Sequence, residues 1–128
     1  MVPILVPVSM SFIAACAASL FVLNGYVGLY RSRIGVLRGD GGDPVLFKRI
    51  RIHGNFAETA PIAALVTLCA ELAGLEAVWL WLAVLSFFIG RVLHYWLYDR
   101  RSRAIAMAMT SGPGVAMGAW LLVRLWWA

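Results

Sequence analysis

Arg51, Asn55 and Glu58 stand at i, i+4 and i+7 in the run "RIRIHGNFAETAP", residues 49–61. On a helix they fall within about 60° of one another, so a guanidinium, an amide and a carboxylate share one stripe, with His53 roughly opposite. A second run, "GRVLHYWLY", puts Arg91, His94 and Tyr98 at i, i+3 and i+7, again on one face. Guanidinium forks bind carboxylates bidentately, a carboxylate takes an ammonium, and an amide can bridge the two. Such a set can pair across helices as polar glue, hold a zwitterionic guest, or relay protons. Spacing alone leaves all three open.

The elements that must position these groups are apolar helices. Of 128 residues, 62% are hydrophobic and 13% charged, against about 25% charged in soluble domains. That composition excludes an ordinary soluble domain and predicts an all-α integral membrane protein. Four apolar stretches, residues 3–30, 46–72, 77–98 and 104–127, each reach the roughly 20 residues a spanning helix needs. The connections are short, so consecutive helices must be antiparallel neighbours, and the expectation is one four-helix bundle over residues 1–128. A charge within a spanning helix costs about 2.5–3.5 kcal/mol on insertion scales, so both polar stripes should face protein or a watery cleft rather than lipid.

Nine of the eleven basic residues fall at one face: Arg31, Arg33, Arg38, Lys48, Arg49 and Arg51 about the first connection, Arg100, Arg101 and Arg103 in the third. Lys and Arg concentrate in cytoplasmic loops, which puts the first and third connections in the cytoplasm and both termini outside, with Arg124 in mild opposition. Trp79, Trp81, Trp126 and Trp127 would mark the outer interface, and Tyr26, Tyr30, Trp96 and Tyr98 the inner one. The net charge of +5 is accounted for by lipid headgroups and topology and calls for no nucleic acid. "IAAC" ending at Cys16 is similar to a lipoprotein cleavage box, yet no Lys or Arg precedes it and apolar character continues beyond, as in a retained helix. Cys16 and Cys69 sit in apolar segments as small hydrophobes and imply neither a disulfide nor a metal site. The Gly- and Asp-rich first connection matches no calcium or phosphate loop and reads as a linker. Pro113, between two glycines, predicts a kink whose freed carbonyl a neighbour must satisfy.

The two stripes resemble the signatures of the MAPEG family, the membrane-associated proteins in eicosanoid and glutathione metabolism. "RIRIHGNFAETAP" is similar to its second-helix motif, R-x-x-N-x-x-E in loose form followed by Pro, and "GRVLHYWLY" to its third-helix motif of Arg, His and Tyr. The likeness runs over essentially the whole chain. It implies a homotrimer of four-helix subunits, in membrane lipid, with glutathione as co-substrate held between neighbouring subunits at the cytoplasmic end. Arg51, Asn55 and Glu58 match the glutathione-holding positions and His53 a further contact. Tyr98 matches a tyrosine near the ligand, Arg91 and His94 the signature around it, and Arg33 or Arg31 a basic residue ending the first helix. Members of the family place an arginine at the start of the fourth helix to stabilise the thiolate. A gap-free register puts Ile105 to Met107 there, so that role passes to Arg103, just before.

The reading that follows is a glutathione-dependent transferase or peroxidase acting on lipophilic electrophiles from the bilayer of a bacterial inner membrane. In it Tyr98 and Arg103 are the catalytic pair. A non-catalytic lipid-binding scaffold of the same family is one alternative. A small proton-coupled multidrug exporter with Glu58 as carrier is another, although the first helix offers no acid.

Overall fold

Proline and glycine punctuation decides where the first helix starts and stops and where the second begins. The computed structural model describes residues 5–127, which form α1 (Pro7–Ile34), α2 (Pro44–Leu72), α3 (Ala77–Trp96) and α4 (Arg103–Trp127), with no strand among the described residues. Pro7 opens α1 in the first turn, where its missing N–H would have no partner anyway; residues 3 and 4, where the expected span begins, lie outside the described residues. The helix closes at Gly35, whose φ of 72° is left-handed, and the Val36 N–H reaches back to the Arg31 carbonyl at 3.2 Å. It therefore runs four residues past the expected end, because the arginines after Tyr30 change the polarity without breaking the helix. Asp43 and Pro44 set the start of α2, with the Asp43 carboxylate accepting from the Leu46 N–H at 2.7 Å. The third helix stops at Trp96, so Tyr98 lies in the turn beyond it and not on the helix as the spacing suggested.

Three helices, α1, α3 and α4, are long and apolar enough to cross a membrane; α2 carries Lys48, Arg49, Arg51, Glu58 and Glu71 and falls short on apolarity. Packing nevertheless aligns it with α1 from end to end. At one end the Glu71 carboxylate accepts from the Val8 N–H at 3.0 Å, the Ser9 N–H at 2.8 Å and the Ser9 hydroxyl. Those amides belong to the first turn of α1, which has no intrahelical acceptors for them and carries partial positive charge. At the other end, Arg49 Nη1 donates to the Tyr26 carbonyl at 2.9 Å. The two helices are thus antiparallel over about 27 Å, the rise of 18 residues.

The centre is a set of edge-on aromatic rings. Phe87 of α3 meets Phe12 of α1 at 5.1 Å between centroids and Phe56 of α2 at 5.9 Å, with Phe88 packed on Phe12 at 5.7 Å. Such pairs prefer edge contact because the ring face is negative and its rim positive. The closest approach is between α3 and α4: a Cβ added at Gly90 would lie 2.6 Å from Thr110 Oγ1 and 2.8 Å from the Ala106 carbonyl oxygen. Nearby, α4 passes through Pro113 without a break, and Ser86 Oγ donates to the Met109 carbonyl at 2.8 Å. Met109 is four residues before Pro113, so its carbonyl is the one the proline leaves without an intrahelical donor, and α3 supplies the replacement.

Candidate functional site

Arg91 on α3 ties the two polar stripes together. Its Nη1 donates to Asn55 Oδ1 and lies 3.4 Å from Thr59 Oγ1, both on α2, while Nη2 lies 3.5 Å from Met107 Sδ on α4. Three helices therefore converge on one half-buried guanidinium. Every group it meets is neutral, and its Nε is buried without a partner. The only ion pair among the described residues is Lys48 with Asp99, at 2.6 Å. A half-buried cation without a carboxylate is costly to maintain in an apolar bundle, and an anionic guest would relieve that cost.

The rest of the second-helix stripe is not consumed by this contact. Arg51 and Glu58 are exposed on the surface of the single subunit and make no side-chain hydrogen bond or ion pair among the described residues. Glu58 lines a groove of about 340 Å³ between α2 and α4, opposite Thr110 and Ser111. It lies 14 residues from either end of α2, at the middle of the helix. Only the middle member of the triad is thus used as glue within the subunit, and the two charged members are exposed on its surface.

His94 is 6% exposed on α3, and its Nδ1 is buried without a partner. Its ring lies 5.7 Å from that of Tyr98, so the turn after α3 keeps the tyrosine beside the histidine although it has left the helix. Lys48 stands 5.3 Å over the Tyr98 ring. His53 is half-buried on α2 with Nε2 unpartnered. Arg33 and Arg103 are exposed at the last turn of α1 and the first residue of α4. By contrast Arg31 is occupied locally, donating to the Gly39 carbonyl at 2.7 Å in the first connection. The structure therefore brings Asn55 to Arg91 and His94 to Tyr98. Arg51, Glu58, Arg33 and Arg103 remain on the surface.

The Lys48–Asp99 pair joins the start of α2 to the third connection, so the first and third connections share one end of the bundle. Thr59 and Met107, which help surround Arg91, were not singled out from the sequence. Thr59 lies one turn after Asn55, and its hydroxyl donates to the Asn55 carbonyl at 2.8 Å, so helical spacing could have flagged it. Met107 carries no polar signal, and only the packing of α4 on α3 brings it near.

The sequence model of the MAPEG family matches residues 9–123, nearly the whole chain. The chain belongs to the MAPEG family. It is also 32% identical over 97 residues to the inner membrane protein YecN of Escherichia coli strain K12, covering 76% of this chain and 74% of that one. The same values hold for YecN of Escherichia coli O6:H1. No solved structure matches. MAPEG membership supports a membrane-associated function of the glutathione and eicosanoid type.

Proposed function

We propose that this MAPEG protein is a glutathione-dependent transferase or peroxidase that acts on lipophilic electrophiles in a bacterial inner membrane, as a homotrimer with glutathione held between subunits. One observation carries the reading: the charged stripe is not neutralised within the subunit. Arg51 and Glu58 are exposed and unpaired among the described residues, and Arg91 has no carboxylate. Each charge facing lipid costs several kcal/mol, so a neighbouring subunit together with a zwitterionic guest is the economical cover. The spacing suits the guest: Arg51 and Glu58 are separated by about 10.5 Å of helix rise, close to the roughly 10 Å of an extended tripeptide.

In this reading Arg51 takes a glutathione carboxylate, Glu58 the ammonium and Asn55 a backbone group, with Arg91, His94, His53 and Arg33 lining the remainder. A thiol with a pKa near 8.5 needs about 2.7 kcal/mol of differential stabilisation to be mostly thiolate at neutral pH. Tyr98 would donate to the sulfur, and Arg103 would supply the cation. The thiolate then forms a bond to the electrophilic carbon and the leaving group departs with the bonding pair. The basic residues of the first and third connections favour a cytoplasmic position for both, and the inner-membrane relatives support that membrane.

The test is a melting experiment on detergent-purified protein. Millimolar glutathione should raise the melting temperature, and Arg51→Ala should remove that rise. No shift in the unsubstituted protein would overturn the proposal, and a shift without turnover over a broad panel of electrophiles would favour the non-catalytic scaffold.

A further inference from the structure

Arg49 is not part of the stripe just described, yet its surroundings are those of an anion site. Its guanidinium carbon lies 3.9 Å from the Tyr26 ring centroid and 4.1 Å from that of Tyr30, which fixes the plane of the group. Nη1 is committed to the Tyr26 carbonyl. The other edge is unused: Nε is buried without a partner, and Nη2 has none among the described residues. An Nε–Nη2 edge is a two-pronged donor matched to a phosphate or carboxylate, and an arginine held by aromatic rings has already lost the freedom that binding would otherwise remove. A buried unpaired guanidinium nitrogen in a folded protein calls for an occupant.

The shape of the surrounding space identifies it. Arg49, Lys48, Asp99 and Tyr98 line a hollow of about 600 Å³, walled mostly by apolar atoms, at the end of the bundle that bears the basic connections. Tyr95 is a wall of this hollow and also of a second, apolar groove of about 470 Å³ that runs inward past Val22, Leu23, Phe88 and Val92. At the junction the Tyr26 and Tyr95 hydroxyls lie 3.2 Å apart, joining α1 to α3. Arg49 is five residues into α2, about 7.5 Å from its start, which is headgroup depth for a helix of this length. A cationic hollow that shares its Tyr95 wall with a mainly apolar groove along the helices has the polarity profile of a single amphiphile.

The geometry points to a specific site for one anionic phospholipid per subunit, its phosphate on the free edge of Arg49 with Lys48 beside it and an acyl chain in the α1–α3 groove. Asp99, itself a wall of the hollow, pairs with Lys48 at 2.6 Å and offsets its charge, so Arg49 carries the recognition. The site requires no glutathione, although Tyr98 in the hollow and Arg91 and His94 in the groove wall are also residues of the proposed activity.

Native mass spectrometry of delipidated protein offered phosphatidylglycerol or phosphatidylcholine of the same chains, without glutathione, tests it. The expected result is one phosphatidylglycerol per subunit, retained about tenfold better than phosphatidylcholine, with Arg49→Gln abolishing the preference. Val22→Trp, which fills the groove and leaves the charges in place, should weaken both lipids. Millimolar inorganic phosphate alone should not displace the bound lipid. Equal retention of the two lipids, an unchanged preference in a folded Arg49→Gln protein, or displacement by inorganic phosphate would each overturn the assignment.

Discussion

Replacing Asn55 by Leu should destabilise the bundle through the group it leaves behind. Among the described residues, Asn55 Oδ1 is the only close oxygen acceptor that Arg91 has: Thr59 Oγ1 is at 3.4 Å, Met107 Sδ is a weak acceptor at 3.5 Å, and Nε has no partner. A hydrogen bond to a charged group contributes about 1.5–3 kcal/mol, and the loss falls mostly on the stranded guanidinium. Leucine has the same number and branching of side-chain heavy atoms as asparagine and is bulkier, so the effect should not come from a cavity. Arg91→Met removes the charge together with its need for an acceptor, and Asn55→Leu in that background should therefore cost far less. A double-mutant cycle in mixed micelles, followed by helix circular dichroism against denaturing detergent, should give a coupling of about 1–2 kcal/mol. That exceeds the average of about 0.6 kcal/mol for neutral interhelical bonds in membrane proteins. Additive single effects would refute the argument, because they would mean that Arg91 finds water or lipid phosphate as readily as it finds Asn55.

Three further outcomes follow from the packing. Gly90→Ala should lower stability by about 1–3 kcal/mol, since the new Cβ meets the Ala106 carbonyl and the Thr110 amide, backbone atoms that cannot rotate away; the same micelle titration reads it. Glu71→Ala should cost about 1–2 kcal/mol and speed hydrogen exchange at the Val8 and Ser9 amides, leaving the Arg91 region unchanged. Ser86→Ala should cost about 1 kcal/mol through the unsatisfied Met109 carbonyl, and should cost almost nothing in a Pro113→Ala background, where the α4 backbone supplies its own donor.

The parts of this structure legible in the sequence are those fixed by strong local physics. Four apolar runs specify four helices, with proline and glycine marking the ends of α1 and the start of α2, and a freed carbonyl before Pro113 had to find a donor, which Ser86 provides. The helix ends were less legible. Periodicity carried the third helix through Tyr98, whereas the helix stops at Trp96, because the acidic and basic residues that follow are better solvated in a turn. Helical spacing put Arg51, Asn55 and Glu58 on one face, but a stripe on one helix does not reveal which neighbour it meets. Asn55 turns to α3 while Arg51 and Glu58 stay at the surface, a division that depends on the position of Arg91 across the bundle. The hollow at Arg49 gave no sequence signal of its own, since in a row of basic residues nothing marks the one that two tyrosines and a carbonyl hold in place.

The exposed charges also bear on assembly. A lone subunit would present Glu58 at the centre of a helix to hydrocarbon, so the subunit surface carrying α2 is better covered by protein than by lipid. The outward faces of α1 and α4, with Phe21, Leu29, Val115 and Leu125 each more than two-thirds exposed, suit lipid instead.

The central claim, that Arg51 and Glu58 hold glutathione between subunits, is tested most directly by the structure of the membrane-extracted protein solved with glutathione present. The account predicts a trimer with the tripeptide at each subunit boundary, a carboxylate on Arg51 and the ammonium on Glu58. Arg51 and Glu58 found paired to each other or to a neighbouring subunit, with no space left for a guest, would contradict it.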